Sequence, residues 1–317
     1  MKADPQFVKQ SHEFWACVKL INQKLRYAKD GFAIVPPKAK VKALFKTLNL
    51  DDTKLFNGTE LTKFGEHLFE YLTYRAGVLN NQVKGLLMDV DEARAEYDKL
   101  KARVGITIAT PINKQTQEKA NPAYFTGIVN MLIASNLKGH PVNYNPQQIT
   151  AFLKNNFPAL SLSRRVDGTF PHPVDPIAIW EIKEYYYTTT FGSRIADGVY
   201  ETMLDGYELH EARDLKQRPL FHYLMTDSHR TWWLKGIPYL CRMIDMIHME
   251  LVTECLFGKE VFQRIPEIVP EWIEVYEKYK HEYPANTAPE ILFSESSEDP
   301  MEEAAQEEGD ITESGQT

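Results

Sequence analysis

A carboxylate and an ammonium, Glu181 and Lys183, close an apolar run that begins at Ile177. Residues two apart on a strand share a face, so Ile177, Ile179, Glu181 and Lys183 point one way and Ala178, Trp180 and Ile182 the other. Both faces are apolar until Glu181, as in a central strand covered on two sides. Charge in such a place is costly unless it is paired or bound to a metal. Upstream, Val166-Asp167-Gly168 ends another strand-like stretch, and the Pro-rich segment from Pro171-His172-Pro173 to Pro176 turns the chain back. A hairpin of this kind sets Asp167 beside Glu181. Two carboxylates and a main-chain carbonyl, such as that of Ile182, make an oxygen-rich site suited to Mg²⁺, with Mn²⁺ as its substitute. The ion would polarise a scissile phosphate and hold the attacking water. Lys183 would orient that water or stabilise the developing charge.

The triplet acid-x-Lys is common enough to arise by chance. It occurs at Asp52-Thr53-Lys54, Glu181-Ile182-Lys183 and Asp214-Leu215-Lys216, and only the middle one combines a β-patterned apolar run with an upstream Asp-Gly. Asp175-Pro176 is a rival first acid. On one continuous strand it would lie roughly 20 Å from Glu181, at about 3.3 Å per residue, too far to share an ion. That objection weakens if Pro171–Pro176 is all loop.

Several neighbours are candidates for nucleic-acid contact. Arg164 and Arg165 flank the Asp167 stretch and are placed to neutralise phosphate. Arg194 shares a helix face with Asp197 and Glu201, and is available either to a phosphate or to an intrahelical pair. His229 and Lys235 follow the third strand, where loops often carry function; His229 is a proton carrier, a phosphate contact or merely solvated. The aromatic run Tyr185 to Phe191 either stacks on bases or packs on the core. Glu184, on the opposite strand face, is a minor third-acid candidate. Lys38, Lys40, Lys42 and Lys46 lie on one short helix, as a DNA contact or a solvated face.

These groups need elements to position them. Residues 4–28, 38–48, 60–79 and 82–104 read as helices, which makes residues 1–104 a helical N-terminal region for assembly or DNA contact. A core follows over 105–285. In it a short strand is expected at 106–109, helices opening at Asn121-Pro122 and Asn145-Pro146, and strands at 162–168, 177–186 and 220–226. Helices are expected from 193 to about 209, over 238–257 up to Gly258, and over 263–281. Residues 286–317 read as a disordered acidic tail, a possible partner-binding arm.

The chain has 317 residues and a net charge of −8, but residues 294–317 hold nine acids and no base, which leaves 36 bases against 35 acids elsewhere. A near-neutral body neither forbids nor predicts nucleic-acid binding. Cys17, Cys241 and Cys255 are too scattered for a zinc or iron–sulfur clamp. There is no P-loop, no G-x-G-x-x-G, no G-x-S-x-G and no H-E-x-x-H, which argues against nucleotide hydrolysis, dinucleotide chemistry and serine or zinc hydrolysis. The N-terminus lacks an apolar signal core and no run suits a membrane span, so a cytoplasmic protein without membrane contact is expected.

Asp167-Gly168, a turn, and Glu181-Ile182-Lys183 together resemble the signature of the PD-(D/E)XK nuclease superfamily, the restriction-endonuclease-like fold. The resemblance covers roughly residues 105–260. It implies an α/β (α+β) core with a central mixed sheet flanked by helices, metal-binding acids at Asp167 and Glu181, and the lysine at Lys183. Val166 stands where the signature has proline. No Gln-x-x-x-Tyr follows Lys183, which argues against the RecB-like exonuclease branch. The resemblance implies a Mg²⁺-dependent endonuclease acting on DNA, of restriction or phage-defence (antiviral) type. Duplex cleavage would ask for a homodimer. The competing expectation is a non-catalytic nucleic-acid-binding or scaffold protein that retains the core.

Overall fold

A computed structural model describes residues 1–105, 112–113, 121–188 and 192–283. The N-terminal part runs α1 (His12–Leu25), β1 (Ala28–Lys29), β2 (Phe32–Ala33), α2 (Lys38–Thr47), β3 (Phe56–Asn57), β4 (Glu60–Leu61) and α3 (Lys63–Val78). A π-helical turn, Leu79–Val83, leads to α4 (Lys84–Leu86) and α5 (Val90–Val104). Next come β5 (Ile112–Asn113), β6 (Asn121–Pro122), α6 (Tyr124–Asn136), β7 (Ala151–Lys154), β8 (Phe157–Ser161), β9 (Gly168–Phe170) and β10 (Ala178–Glu184). The chain closes with α7 (Ser193–Lys216), β11 (Phe221–Asp227), α8 (Ile237–His248), β12 (Glu254–Phe257) and α9 (Val261–Tyr279).

The central sheet is four-stranded, in the order β12-β11-β10-β9. β10 pairs parallel with β11, and β11 with β12, while β9 is antiparallel to β10. The expected mixed sheet between helical layers is therefore present. One face carries Ala178, Trp180, Tyr223 and Met225 against α5, α6 and α9. The other sets Leu224 against α7 and α8, and Ile179 against Leu209, Ala212 and Phe152. The N-terminal helices keep their own core around Phe14, Tyr71 and Leu72. A buried network joins them to the sheet layer: Arg75 donates to Asp245 at 2.8 Å and to Asn22 at 2.8 Å, and Tyr71 donates to Asp245 at 2.6 Å. Among the described residues no helix is long and apolar enough to cross a membrane.

Six expected elements differ. The first helix starts at His12, not residue 4, because Lys9 takes a positive φ and Ser11 caps Phe14 N. The helix expected over 82–104 breaks at Leu87, and Asp89 with Glu92 forms a capping box that restarts it. The helix expected from Asn145 to about Phe157 is instead the hairpin β7–β8. Asn155 and Asn156 both have positive φ, as a two-residue turn requires. The strand expected over 162–168 begins only at Gly168. The long helix expected over 238–257 ends at His248, Glu250 turns through positive φ, and the remaining apolar run forms β12. Asn121-Pro122 also lies in β6 rather than opening a helix; α6 starts just after it. The expected strand at 106–109 and the acidic tail lie outside the described residues.

Gly168 explains how the sheet edge holds Asp167. Its backbone runs directly beneath the Trp180 indole, and a Cβ there would stand 2.0 Å from the ring. Trp180 in turn stacks on Trp272 at 5.6 Å between centroids, and Trp272 donates to Tyr223 Oη at 2.9 Å. Gly168→Ala should therefore lower stability by about 1–3 kcal/mol, the range for overpacking a filled core. Denaturant unfolding checks this, and an unchanged midpoint would show that the indole does not fix this edge.

Candidate functional site

The last ladder pair between β9 and β10 is Gly168 opposite Trp180. Extended one step past the ladder, that register points Asp167 toward Glu181, whose charge is felt at the Asp167 carboxyl. Asp167 Oδ2 accepts from Ile182 N at 2.6 Å, which anchors the acid to the backbone of the neighbouring strand. Asp175 is held elsewhere. It precedes β10, accepts from Leu153 N at 3.0 Å and pairs with Lys216 at 3.0 Å, at the strand end away from Lys183.

Glu181 is wholly buried. Two cations meet it: Arg164 Nη2 stands 2.9 Å from Oε1 and Lys183 Nζ 3.0 Å from Oε2. They approach off the hydrogen-bond direction, so neither Glu181 oxygen has a directed donor. Arg164 Nη2 also donates to Asp205 at 2.6 Å, and Asp205 Oδ1 has no donor. Glu201 completes the group, 3.5 Å from Lys183 and 3.9 Å from Arg164. Room for the lysine stem comes from Gly198, where a Cβ would stand 3.1 Å from Lys183 Cε.

The charges set the protonation of the group. Burial alone would raise Glu181, but the positive charges of Lys183 and Arg164 outweigh it and hold this carboxyl below its ordinary value. Burial pulls Lys183 down, yet Glu181 and Asp167 more than compensate and its ammonium is held above its ordinary value. Burial pushes Asp205 up to about 7, with Glu181 adding to the rise against the pull of Arg164. Burial of the carboxyl and the charge of Glu181 raise Asp167 too. Asp167 as a whole is exposed, so water offsets part of that rise.

Asp205 is the member that the sequence reading did not single out. Its signal was available: it follows Glu201 by four residues, and i, i+4 positions share a helix face. Arg164 differs from expectation in orientation. Its guanidinium turns inward to Glu181 and Asp205 rather than standing free for phosphate. Arg165 donates to Gln147 at 3.3 Å. Asp197 is exposed, while the Arg194 side chain lies outside the described residues. His229 is half-buried and Lys235 exposed, both after β11. In the aromatic run, Tyr186 is core and donates to Asp227 at 2.5 Å, and Tyr185 packs on Trp232; Thr189 to Phe191 lie outside the described residues. Glu184 faces the other layer and accepts from Thr126 N at 2.9 Å, which caps α6 and removes it from the Glu181 group.

The Asp205 shift fixes a pH dependence. Its folded value of about 7 lies above the unfolded value near 3.9. Between these the folded state holds more protons than the unfolded one, so stability falls as pH rises through the window. Wild type should lose at least about 1 kcal/mol relative to Asp205→Asn between pH 5 and pH 8 in chelator, less than one pKa unit's worth. Parallel pH–stability curves for the two proteins would contradict this.

Residues 88–272 match the model of a family described as a domain of unknown function, DUF7687, and residues 1–82 match a second such family, DUF7690. The junction between the two falls ahead of α5, so α5 goes with the sheet layer that it packs on. No curated protein and no solved structure matches the chain. The chain, with the sheet, the Asp167–Glu181 edge and α7 all inside the longer match, belongs to the DUF7687 family.

Proposed function

We propose that the protein is a Mg²⁺-dependent nuclease that hydrolyses DNA phosphodiester bonds at the Asp167–Glu181–Lys183 edge, of restriction or phage-defence type. The observation that carries this reading is the charge inventory. Four acids, Asp167, Glu181, Glu201 and Asp205, surround two bases, Arg164 and Lys183. Fully ionised, the group has two surplus negative charges, which a divalent cation matches. Without one, the raised Asp205 and Asp167 carboxyls relieve the surplus by taking protons.

The donor set fits the ion in kind. Asp167 and Glu181 offer hard oxygens, and both Glu181 oxygens lack a directed donor. The Ile182 carbonyl is a third oxygen. Among the described residues no group of three or more His, Cys, Asp or Glu side chains is arranged to hold a metal. Two carboxylates with water and phosphate completing the shell is the ordinary manner of Mg²⁺ binding. When bound, the ion would supply Lewis-acid stabilisation of the phosphate and a more acidic water.

The chain's own groups then have distinct tasks. Lys183, held cationic, donates toward the attacking water or the phosphoryl oxygens. Arg164 keeps Glu181 ionised in a dry setting and positions Asp205. Glu201, half-buried beside both bases, is placed to accept a proton as water enters. A homodimer would present two such edges to a duplex.

One observation favours a second reading, a non-catalytic scaffold that keeps the core: Arg164 and Lys183 already compensate Glu181. The acidic C-terminal segment would then be its partner-binding arm. Incubation of supercoiled plasmid with Mg²⁺ separates the two. Cleavage by wild type, reduced about a hundredfold or more in Lys183→Ala and Glu181→Gln, is expected. Cleavage unaffected by both changes would overturn the residue assignment, and no cleavage of plasmid would favour the scaffold.

A further inference from the structure

Outside the acid group, the surface beyond α7 carries rings and cations in alternation. Arg242, on α8, lies over three tyrosines, with its guanidinium carbon 4.9 Å from the Tyr27 centroid, 4.7 Å from Tyr239 and 5.7 Å from Tyr200. Lys84 lies 4.8 Å over Phe32 and 5.6 Å over Trp233. Tyr27 and Phe32 flank the same hairpin, β1–β2, so the two clusters adjoin.

Two features set this patch apart from packed core. Large apolar surface stays open: Tyr200 is 45% exposed, Phe32 47% and Leu234 66%. Arg242 and Lys84 also have no carboxylate within ion-pair distance among the described residues. Their contacts are ring faces and, for Arg242, the Pro238 carbonyl at 3.5 Å. Tyr27 and Trp233 are buried and hold the two cations from beneath, whereas the open rings of Tyr200 and Phe32 beside those cations offer stacking and phosphate contact together. A guanidinium held among tyrosines keeps edge donors for phosphate, while the open ring of Tyr200 is the surface on which a base can stack.

We infer that this surface binds a nucleic-acid strand with unpaired bases and leads it to the acid group. The patch and that group share α7, which carries Tyr200 toward Arg242 and Tyr239 and Glu201 toward Lys183. Duplex DNA hides its base faces and gains only the cation contacts, so the patch favours single strands, flaps or splayed ends. The inference rests on the nuclease reading for its purpose, while binding itself requires no metal and no cleavage.

The test is fluorescence anisotropy in EDTA, with a labelled oligothymidylate and a labelled duplex of equal length. Wild type should bind the single strand more tightly than the duplex, with affinity falling as salt rises. Arg242→Ala and Tyr200→Ala should each weaken single-strand binding about tenfold, the scale of one lost base stack. Tyr200→Phe should retain binding. Unchanged affinity in folded Arg242→Ala and Tyr200→Ala, or equal affinity for duplex, would overturn the inference. So would sedimentation showing a wild-type dimer that these two changes split, which would make the patch an interface between copies. A protein that binds single strands through Arg242 and Tyr200 yet cleaves nothing would sink the nuclease reading alone.

Discussion

The cost of burying Glu181 organises the centre of this protein. The residue sits in one of the two inner strands of the sheet with none of its surface exposed. A carboxylate there survives only with compensating positive charge. Lys183 supplies it from the same face of β10, and Arg164 supplies it from the segment leading into β9. Arg164 in turn needs Asp205, so α7 is tied to the sheet through a chain of charge. Gly198 exists in that helix where the lysine stem must pass. Apolar residues of similar volume are often as stable in such a place, and here the charge is kept and compensated by Lys183 and Arg164.

The same logic accounts for the other face. Trp180 lies over Gly168 and stacks on Trp272, so the apolar side of β10 fixes the register that points Asp167 toward Glu181. Packing on one face thus sets the electrostatics on the other. Asp167 differs from Glu181 in being open to solvent and bonded to the Ile182 amide. The site thus sets a rim acid beside a sealed one.

Much of this was legible in residue order. Strand parity placed Glu181 and Lys183 on one face, and the Asp-Gly before a Pro-rich turn marked the partner strand. The Trp180–Gly168 contact was not legible, because it depends on which ring lies over which backbone. The inward turn of Arg164 and the recruitment of Asp205 depend on how α7 crosses the sheet, which helical periodicity does not specify. The misread elements have local causes. Asn155-Asn156 makes a hairpin through two positive-φ residues, where Asn145-Pro146 alone reads as a helix start. β12 lies in an apolar run continuous with α8, and only the turn at Glu250 divides them. Short buried strands and helix ends share one apolar composition, so length and turn chemistry decide.

The surplus of acids over bases around Glu181 is the claim on which the functional account stands. Calorimetric titration with Mg²⁺, repeated in two buffers of different ionisation enthalpy, tests it most directly. The account predicts saturable binding near neutral pH, proton release as the raised carboxyls give up their protons, and loss of both signals in Glu181→Gln and Asp167→Asn. Absence of Mg²⁺ and Mn²⁺ binding, or binding that survives both substitutions, would contradict it.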